Sequence, residues 1–270
     1  MALVLPKKPT PAVSHNAASM IIYGLPKAGK SSFCSKLPNH LILDLENGYK
    51  NIEATKLVMV NNSTFMDEIK ELILALREEK KETGANPYRF IVIDNASRLG
   101  DRMEKYILDK YQASDKGKDW GWLKKDGLVV KDQAGNKVRD PKINSSDIPF
   151  GGGVVILREA ICTLLQQLGE YCETVILVCH ATEKSINVDG IDTKHQVIDL
   201  SGKSADKIAG MVDAIGWLYR AVDGKTMLSF KSGDNICRGA RPDHLRNREF
   251  PVITCDDENQ LHIDISKIFI

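Results

Sequence analysis

The stretch MIIYGLPKAGKSSF, residues 20–33, constrains the chain more than any other. Met20 to Tyr23 are apolar and strand-like, and they run into the spacing G-x-x-x-x-G-K-S formed by Gly24, Gly29, Lys30 and Ser31. A loop that wraps a triphosphate needs a strand to fix its start, glycines where the backbone approaches oxygen, and a helix whose free N–H groups face the anion. Gly24, Leu25, Pro26, Lys27, Ala28, Gly29, Lys30, Ser31 and Ser32 supply that order, with the helix expected from about Gly29 to Leu37, ahead of Pro38. Lys30 is expected to reach the β/γ-phosphates of ATP as a point charge, and Ser31 to bind Mg2+.

The segments beyond the loop point to an α/β fold. HLILDLE (40–46), KLVMV (56–60), RFIVIDN (89–95) and TVILVCH (174–180) are nearly continuous in aliphatic residues and read as buried strands. Between them Phe65, Ile69, Leu72, Ile73 and Leu76 form one apolar stripe, opened by Thr64 with Asp67 in capping-box spacing. Leu157, Ile161, Leu164, Leu165 and Leu168 form another. Strands alternating with helices predict a mostly parallel sheet covered on both faces. Residues 112–150 lose the periodicity and read as an insertion with a small hairpin near GLVVKDQAGNKVR, which interrupts the sheet without extending it. After residue 212 the helices stop, and AIGWLYRAVDGKTMLSFKSG reads as two strands joined near Asp223 and Gly224.

The expected organisation is a flexible N-terminal arm over 1–18, a core over 19–245 carrying the 112–150 insertion, and a β-rich extension over 246–270 of the same domain. The 270 residues, 43% of them hydrophobic, suffice for one large core. A net charge of +1 selects no polyanionic partner, so a nucleic-acid surface has to be a local patch. The six cysteines form no C-x-x-C pair and several lie in apolar runs, which predicts reduced thiols, no zinc site and a cytoplasmic location. No stretch approaches the length of a membrane span, so no membrane partner is expected.

Hydrolysis needs a carboxylate for the metal and a group that orients water. Asp94 ends a buried strand and is expected to serve Mg2+, while Asp44 and Glu46, two apart on a strand, are expected to point to one face. Glu46, nearer the loop end, is the candidate base, and a solvated strand-end residue is the plainer alternative.

Gly24–Ser31, the D-x-E at Asp44–Glu46, the strand ending at Asp94 and the later strand ending at VCH occur in the same order as in the RecA core, which the chain resembles. The resemblance implies a RecA-like P-loop ATPase in which the D-x-E glutamate activates water, the second strand's aspartate serves Mg2+, and His180 senses the γ-phosphate where RecA has glutamine. A histidine at a strand end is also compatible with a hydrogen-bonded, partly buried core residue. GLPKAGKSSF, DLENGYKNI, FIVIDNASRL, VILVCHATEK and GARPDHL look like the phage nucleotide-binding proteins of RecA-core type, some of which are single-strand annealing recombinases. That likeness implies DNA-stimulated ATP hydrolysis, head-to-tail self-association into a ring or filament, single-stranded DNA as partner, and phage or host recombination proteins as further partners. A helicase-type motor and a nucleotide-gated assembly protein with little hydrolysis are the alternatives on the same core.

By the same resemblance two loops face DNA: one ending at IPFGGG (148–153), the other over 183–202 with Lys184 and Lys194, followed by Lys203. Lys231, Arg238 and Arg241 are candidates for completing a neighbour's site in trans, or equally a solvated rim. Trp120 and Trp122 in the insertion fit a small core under a long loop better than a base-stacking platform.

Overall fold

The computed structural model describes residues 8, 16–188, 191–200, 204–233, 235–256 and 260–270. In chain order its first half consists of β1 (Ser19–Gly24), α1 (Lys30–Cys34), β2 (His40–Asp44), β3 (Lys56–Val58), α2 (Phe65–Thr83), β4 (Phe90–Asp94) and α3 (Leu99–Gln112). The insertion contributes β5 (Lys124–Lys125) and β6 (Leu128–Val129). The chain continues through α4 (Gly152–Gly169), β7 (Thr174–Val188), β8 (Ile191–Ile198), α5 (Ser204–Met211) and β9 (Ala214–Arg220). It ends with β10 (Thr226–Ser229), β11 (Gly239–Ala240), β12 (Glu249–Cys255) and β13 (Leu261–Ile263).

One sheet runs in the order β13-β12-β10-β9-β1-β7-β4-β2-β3, and its stretch from β9 to β3 is parallel throughout. The fold is therefore α/β with a mostly parallel central sheet, consistent with a P-loop NTPase. Successive strand residues face opposite sides, so each buried strand feeds two cores. Ile21, Tyr23, Leu43, Ile93 and Leu177 pack on one side with α2, α3, α4 and α5, and Met20, Ile22, Ile42, Val92 and Ile176 pack on the other. That second side is covered by short α1 and by the C-terminal segment, whose Phe269 meets Phe90 edge-on at 4.6 Å. Helical cover is thus concentrated on one face, where the repeating strand-helix pattern predicted it on both. Phe65, Ile69, Ile73 and Leu76 of α2 are buried, each stabilising the fold by about 1.5–3 kcal/mol of transfer energy.

Several local expectations change. The helix after the loop spans only Lys30–Cys34, because the chain turns at Ser35 before Pro38. β3 is an edge strand with exposed Leu57 and Val58, since no strand among the described residues lies beyond it. The capping box is not formed: the Thr64 hydroxyl donates to Glu68, and Asp67 pairs with Lys70. Of the expected arm, residues 16–18 are tied down, with Thr174 Oγ1 donating to Ala17 O at 2.7 Å and Ala18 N to Asp213 Oδ2 at 3.0 Å. The rest of the arm, apart from residue 8, lies outside the described residues.

The largest departure concerns 183–202. The strand expected to end at residue 180 runs on to Val188 and pairs antiparallel with β8 from Ala181↔Ile198 to Val188↔Ile191, so a two-stranded ribbon stands where a loop was expected. In the insertion β5 and β6 form their own small sheet around Asp126 and Gly127, both at positive φ. Trp120 packs edge-on against Tyr111 at 5.3 Å on the border of the main core, whereas Trp122 donates Nε1 to Lys118 O at 2.8 Å and carries the Lys137 ammonium over its ring at 5.4 Å, so the two do not form a small core of their own. The IPFGGG segment is a 3-10 turn, Pro149–Gly151, leading directly into α4.

Candidate nucleotide site

Register places the expected chemistry along one sheet edge. Gly24 is level with His180 on β7, Asp94 with Val178 two residues earlier, and Asp44 with Asp94. The carboxyl ends of β1, β4 and β2 therefore converge with the point at His180 where β7 leaves the parallel sheet, and ligands of open α/β sheets bind at such an edge.

The loop is held to the sheet by close packing. A Cβ on Gly24 would lie 2.1 Å from Leu218 O, a backbone atom that cannot swing away. Gly29 has φ 102°, a conformation that favours glycine, and hands the chain to α1. Lys30 follows at once and is 7% exposed, its Nζ donating to Gly24 O at 2.8 Å and Leu25 O at 2.9 Å. Burial lowers its pKa, opposed chiefly by the Asp94 carboxylate. These two carbonyls keep the ammonium over the loop that a phosphate chain would enter. Leu25, Pro26, Lys27 and Ala28 form the outer wall, and Ser32 lies within α1.

Asp94, 7% exposed, is the centre of the site's hydrogen bonding. Its Oδ2 accepts from Ser31 Oγ at 2.8 Å and from Tyr49 OH at 2.6 Å. Desolvation raises its pKa, while the bonds from Tyr49 and Ser31 and the nearby Lys30 pull it down. Burial likewise raises the Tyr49 phenol, which stays a donor. Ser31 and Asp94 are adjacent hard oxygen donors, and among the described residues no group of three or more His, Cys, Asp or Glu could cage a metal. That pairing fits Mg2+, which keeps waters and shares its shell with substrate phosphates.

Asp44 and Glu46 do not share a strand face. β2 ends at Asp44, whose carboxylate, 1% exposed, accepts from the backbone N–H groups of Glu46 (3.2 Å), Gly48 (3.0 Å) and Tyr49 (3.2 Å). Asp44 thereby bends the chain off the sheet, presents Glu46 at the rim and sets Tyr49 on Asp94. Glu46 Oε1 accepts from Arg98 Nε at 2.8 Å, and its Oε2 lies 3.8 Å from His180 Nε2. His180 is anchored through its backbone N–H to Ser97 Oγ at 3.1 Å, and its Nδ1 is buried without a partner among the described residues. Ser97 donates its own N–H to Asn95 Oδ1 at 2.9 Å, so the turn after β4 supports both. Tyr49, Ser97 and Arg98 were missed by sequence reasoning. Tyr49 lies in the DLENGYKNI stretch, where a phenol within reach of a metal carboxylate was the available signal.

The remaining candidates lie apart from this cluster. Arg241 donates to Gly210 O at 2.7 Å, Met211 O at 3.1 Å and Asp213 Oδ1 at 2.9 Å, which clamps the end of α5 to β11. Arg238 Nη1 donates to Ser229 Oγ at 2.8 Å, and Lys231 lies 3.7 Å from Glu249. Lys184 stands opposite His195 on the ribbon, Lys194 pairs with Glu183 at 2.8 Å, and Lys203 lies outside the described residues.

Residues 16–131 match the model of a family described as AAA domain. No curated protein matches the chain. The matched segment, less than half of the chain, holds the loop from Gly24 to Ser31, Asp44, Glu46 and Asp94, and over it the chain is similar to AAA-type P-loop ATPases. No helix among the described residues is long and apolar enough to cross a membrane.

Proposed function

We propose that the chain is a RecA-like ATPase that acts on single-stranded DNA in phage-type recombination or strand annealing, assembling head to tail. The observation that carries the reading is the convergence of Lys30, Ser31, Asp94, Glu46 and His180 at one edge of the parallel sheet, beyond β1, β4 and β2 and where β7 leaves it. The order of these residues along the chain is that of the RecA core, and the β7–β8 ribbon rises directly from the strand that bears His180.

In this reading Lys30 exchanges its two carbonyl partners for β- and γ-phosphate oxygens when ATP enters. Ser31 and Asp94 would hold Mg2+, which when bound neutralises charge on those oxygens. Glu46 is the base: Arg98 fixes one oxygen and leaves the other facing His180, where a water can be held between them. The water oxygen attacks the γ-phosphorus, the bond to the β,γ-bridging oxygen breaks, and the water's proton passes to Glu46, giving ADP and inorganic phosphate. His180 contacts the γ-phosphate and transmits its presence along β7 to the ribbon.

The test is phosphate release from MgATP with and without single-stranded DNA, with Lys30→Ala as control. Hydrolysis that rises with DNA and vanishes in the variant is expected. Tight ATP binding with no phosphate release would instead support nucleotide-gated assembly, and ATP affinity unchanged by Lys30→Ala would rule out the loop as the nucleotide site.

A further inference from the structure

We propose that the 112–150 insertion carries its own contact for single-stranded nucleic acid, a platform on which a base stacks against Trp122 while neighbouring lysines take the phosphates. This rests on the reading of the chain as acting on single-stranded DNA, and it adds a place and a mode of contact away from the β7–β8 ribbon.

The residues around β5 and β6 close into a compact curl. Leu123 N donates to Val138 O, Val130 N to Leu123 O and Val138 N to Val130 O, each at 2.9 Å, so three short segments each pair with the other two. Trp122 opens the first segment opposite Arg139, and its ring belongs to neither hydrophobic core. Its orientation is fixed all the same. The indole Nε1 and the Lys137 ammonium both donate to Lys118 O, at 2.8 and 2.9 Å, and that ammonium stands 5.4 Å from the ring centre. Arg139 is pinned in turn by Gln112 Oε1, which accepts from its Nε at 2.9 Å and its Nη2 at 2.7 Å. A hollow of about 430 Å3 opens between these side chains and the end of α3, within the usual size range of ligand sites. Asp109, the one acid among its lining residues, is held by Lys105 and Arg139.

The charge around the hollow is not self-compensated. Lys131 and Lys137 face one another across an antiparallel bridge, and like charges directly opposite destabilise such a pair. Lys116, Lys118, Lys124, Lys125 and Lys131 are exposed, and none of them is in an ion pair among the described residues. The acids nearby serve the insertion's own turns. Asp132 Oδ1 accepts from the N–H groups of Ala134 at 2.9 Å and Asn136 at 2.8 Å, and Asp140 Oδ1 accepts from that of Lys142 at 3.0 Å. Asp119 alone approaches Lys137, at 3.5 Å. Cations crowded together fit a polyanion, and a fixed ring among them selects one that carries flat bases. An entering base takes the ammonium's place over the indole, and Lys137 turns to the phosphate beside it. Every base has a π-face, so this platform reads no sequence.

The experiment measures equilibrium binding of oligothymidylate, of an abasic strand of the same length and of polyglutamate, with a non-hydrolysable ATP analogue present. It compares the intact chain with Trp122→Ala, Trp122→Phe and a combined Lys124→Ala, Lys125→Ala, Lys131→Ala variant, each checked by thermal unfolding and ATP binding. Trp122→Ala is expected to bind oligothymidylate about 5-fold or more weakly and the abasic strand as the intact chain does, while Trp122→Phe, which keeps a stacking face, stays within about 3-fold. The lysine variant is expected to flatten the salt dependence for both strands by up to about two units. Unchanged oligothymidylate affinity in Trp122→Ala overturns the platform and leaves the ribbon as the DNA contact. Equal losses on the two strands make Trp122 a structural residue and overturn it as well. Polyglutamate binding as tightly as oligothymidylate assigns the surface to an acidic peptide instead. If the intact chain binds no strand at all, the DNA reading of the protein falls and this contact with it.

Discussion

Replacing Tyr49 by phenylalanine isolates one hydrogen bond at the heart of the site. Tyr49 is 1% exposed and its hydroxyl donates to Asp94 Oδ2 at 2.6 Å, so the variant keeps the ring's volume and removes only the donor. A hydrogen bond to a charged group contributes about 1.5–3 kcal/mol, and water cannot replace the hydroxyl in a space that tight. The Ser31 bond to the same oxygen remains, which favours the lower end of that range. The effect should depend on pH. Desolvation holds the Asp94 pKa above its unfolded value, so its contribution is fully present below the ordinary carboxylate pKa of about 3.9 and is lost as pH rises through the folded value. Tyr49 opposes that rise. Removing it moves the folded value higher, so the variant loses most above that value, where Asp94 is charged. Near pH 4 the loss should shrink toward the 0.5–1.5 kcal/mol, roughly, of a neutral hydrogen bond. Urea unfolding at the two pH values measures both numbers. A loss under about 0.5 kcal/mol at pH 7, or the same loss at both, would refute the assignment of Tyr49 as the donor that opposes the rise of the Asp94 pKa.

Glu46→Gln should bind ATP with unchanged affinity yet release phosphate about 10^2-fold or more slowly, while Asp94→Asn should raise the Mg2+ concentration needed for nucleotide binding. Normal hydrolysis in Glu46→Gln would place the base elsewhere, and Asp44 is a poor substitute because its carboxylate is occupied by three backbone N–H groups. Replacing Lys184, Lys194 and Lys203 together by alanine should flatten the salt dependence of single-stranded DNA binding by up to about two units, with ATP binding intact. An unaltered slope would move the contact off the ribbon. For trans completion, mixing Lys30→Ala with Lys231→Ala should restore part of the hydrolysis each lacks alone, and no recovery in a confirmed assembly would argue against a shared site.

What could be read from the sequence was what is local. The phosphate loop is legible because its strand, glycines, lysine and serine are consecutive, and Asp94 because it closes an unbroken apolar run. The core stripes of α2 and α4 are legible for the same reason, since a 3.6-residue period is written in the residues themselves. The ribbon was harder. Its strands are rich in polar residues and, among the side chains described, only Ile198 is buried, so the alternation that marks a half-buried strand is faint, although the sequence carries Asp189-Gly190, a hairpin signal. Arg241 illustrates another limit. An arginine near the chain's end reads as a surface charge, and nothing nearby announces that its guanidinium will close over carbonyls some thirty residues back.

Asp44 and Glu46 show most clearly why the site needed the structure. Two carboxylates two apart lie on one face only while the strand continues, and here Asp44 itself stops it by drawing in the N–H groups of Glu46, Gly48 and Tyr49. The same bend that carries Glu46 to the rim beside Arg98 and His180 carries Tyr49 inward to Asp94, 45 residues away in sequence. One buried carboxylate therefore positions both the candidate base and the donor that steadies Asp94, the candidate metal ligand. Its own removal should impair hydrolysis and Mg2+-dependent binding together, whereas Glu46→Gln and Tyr49→Phe should each impair only one.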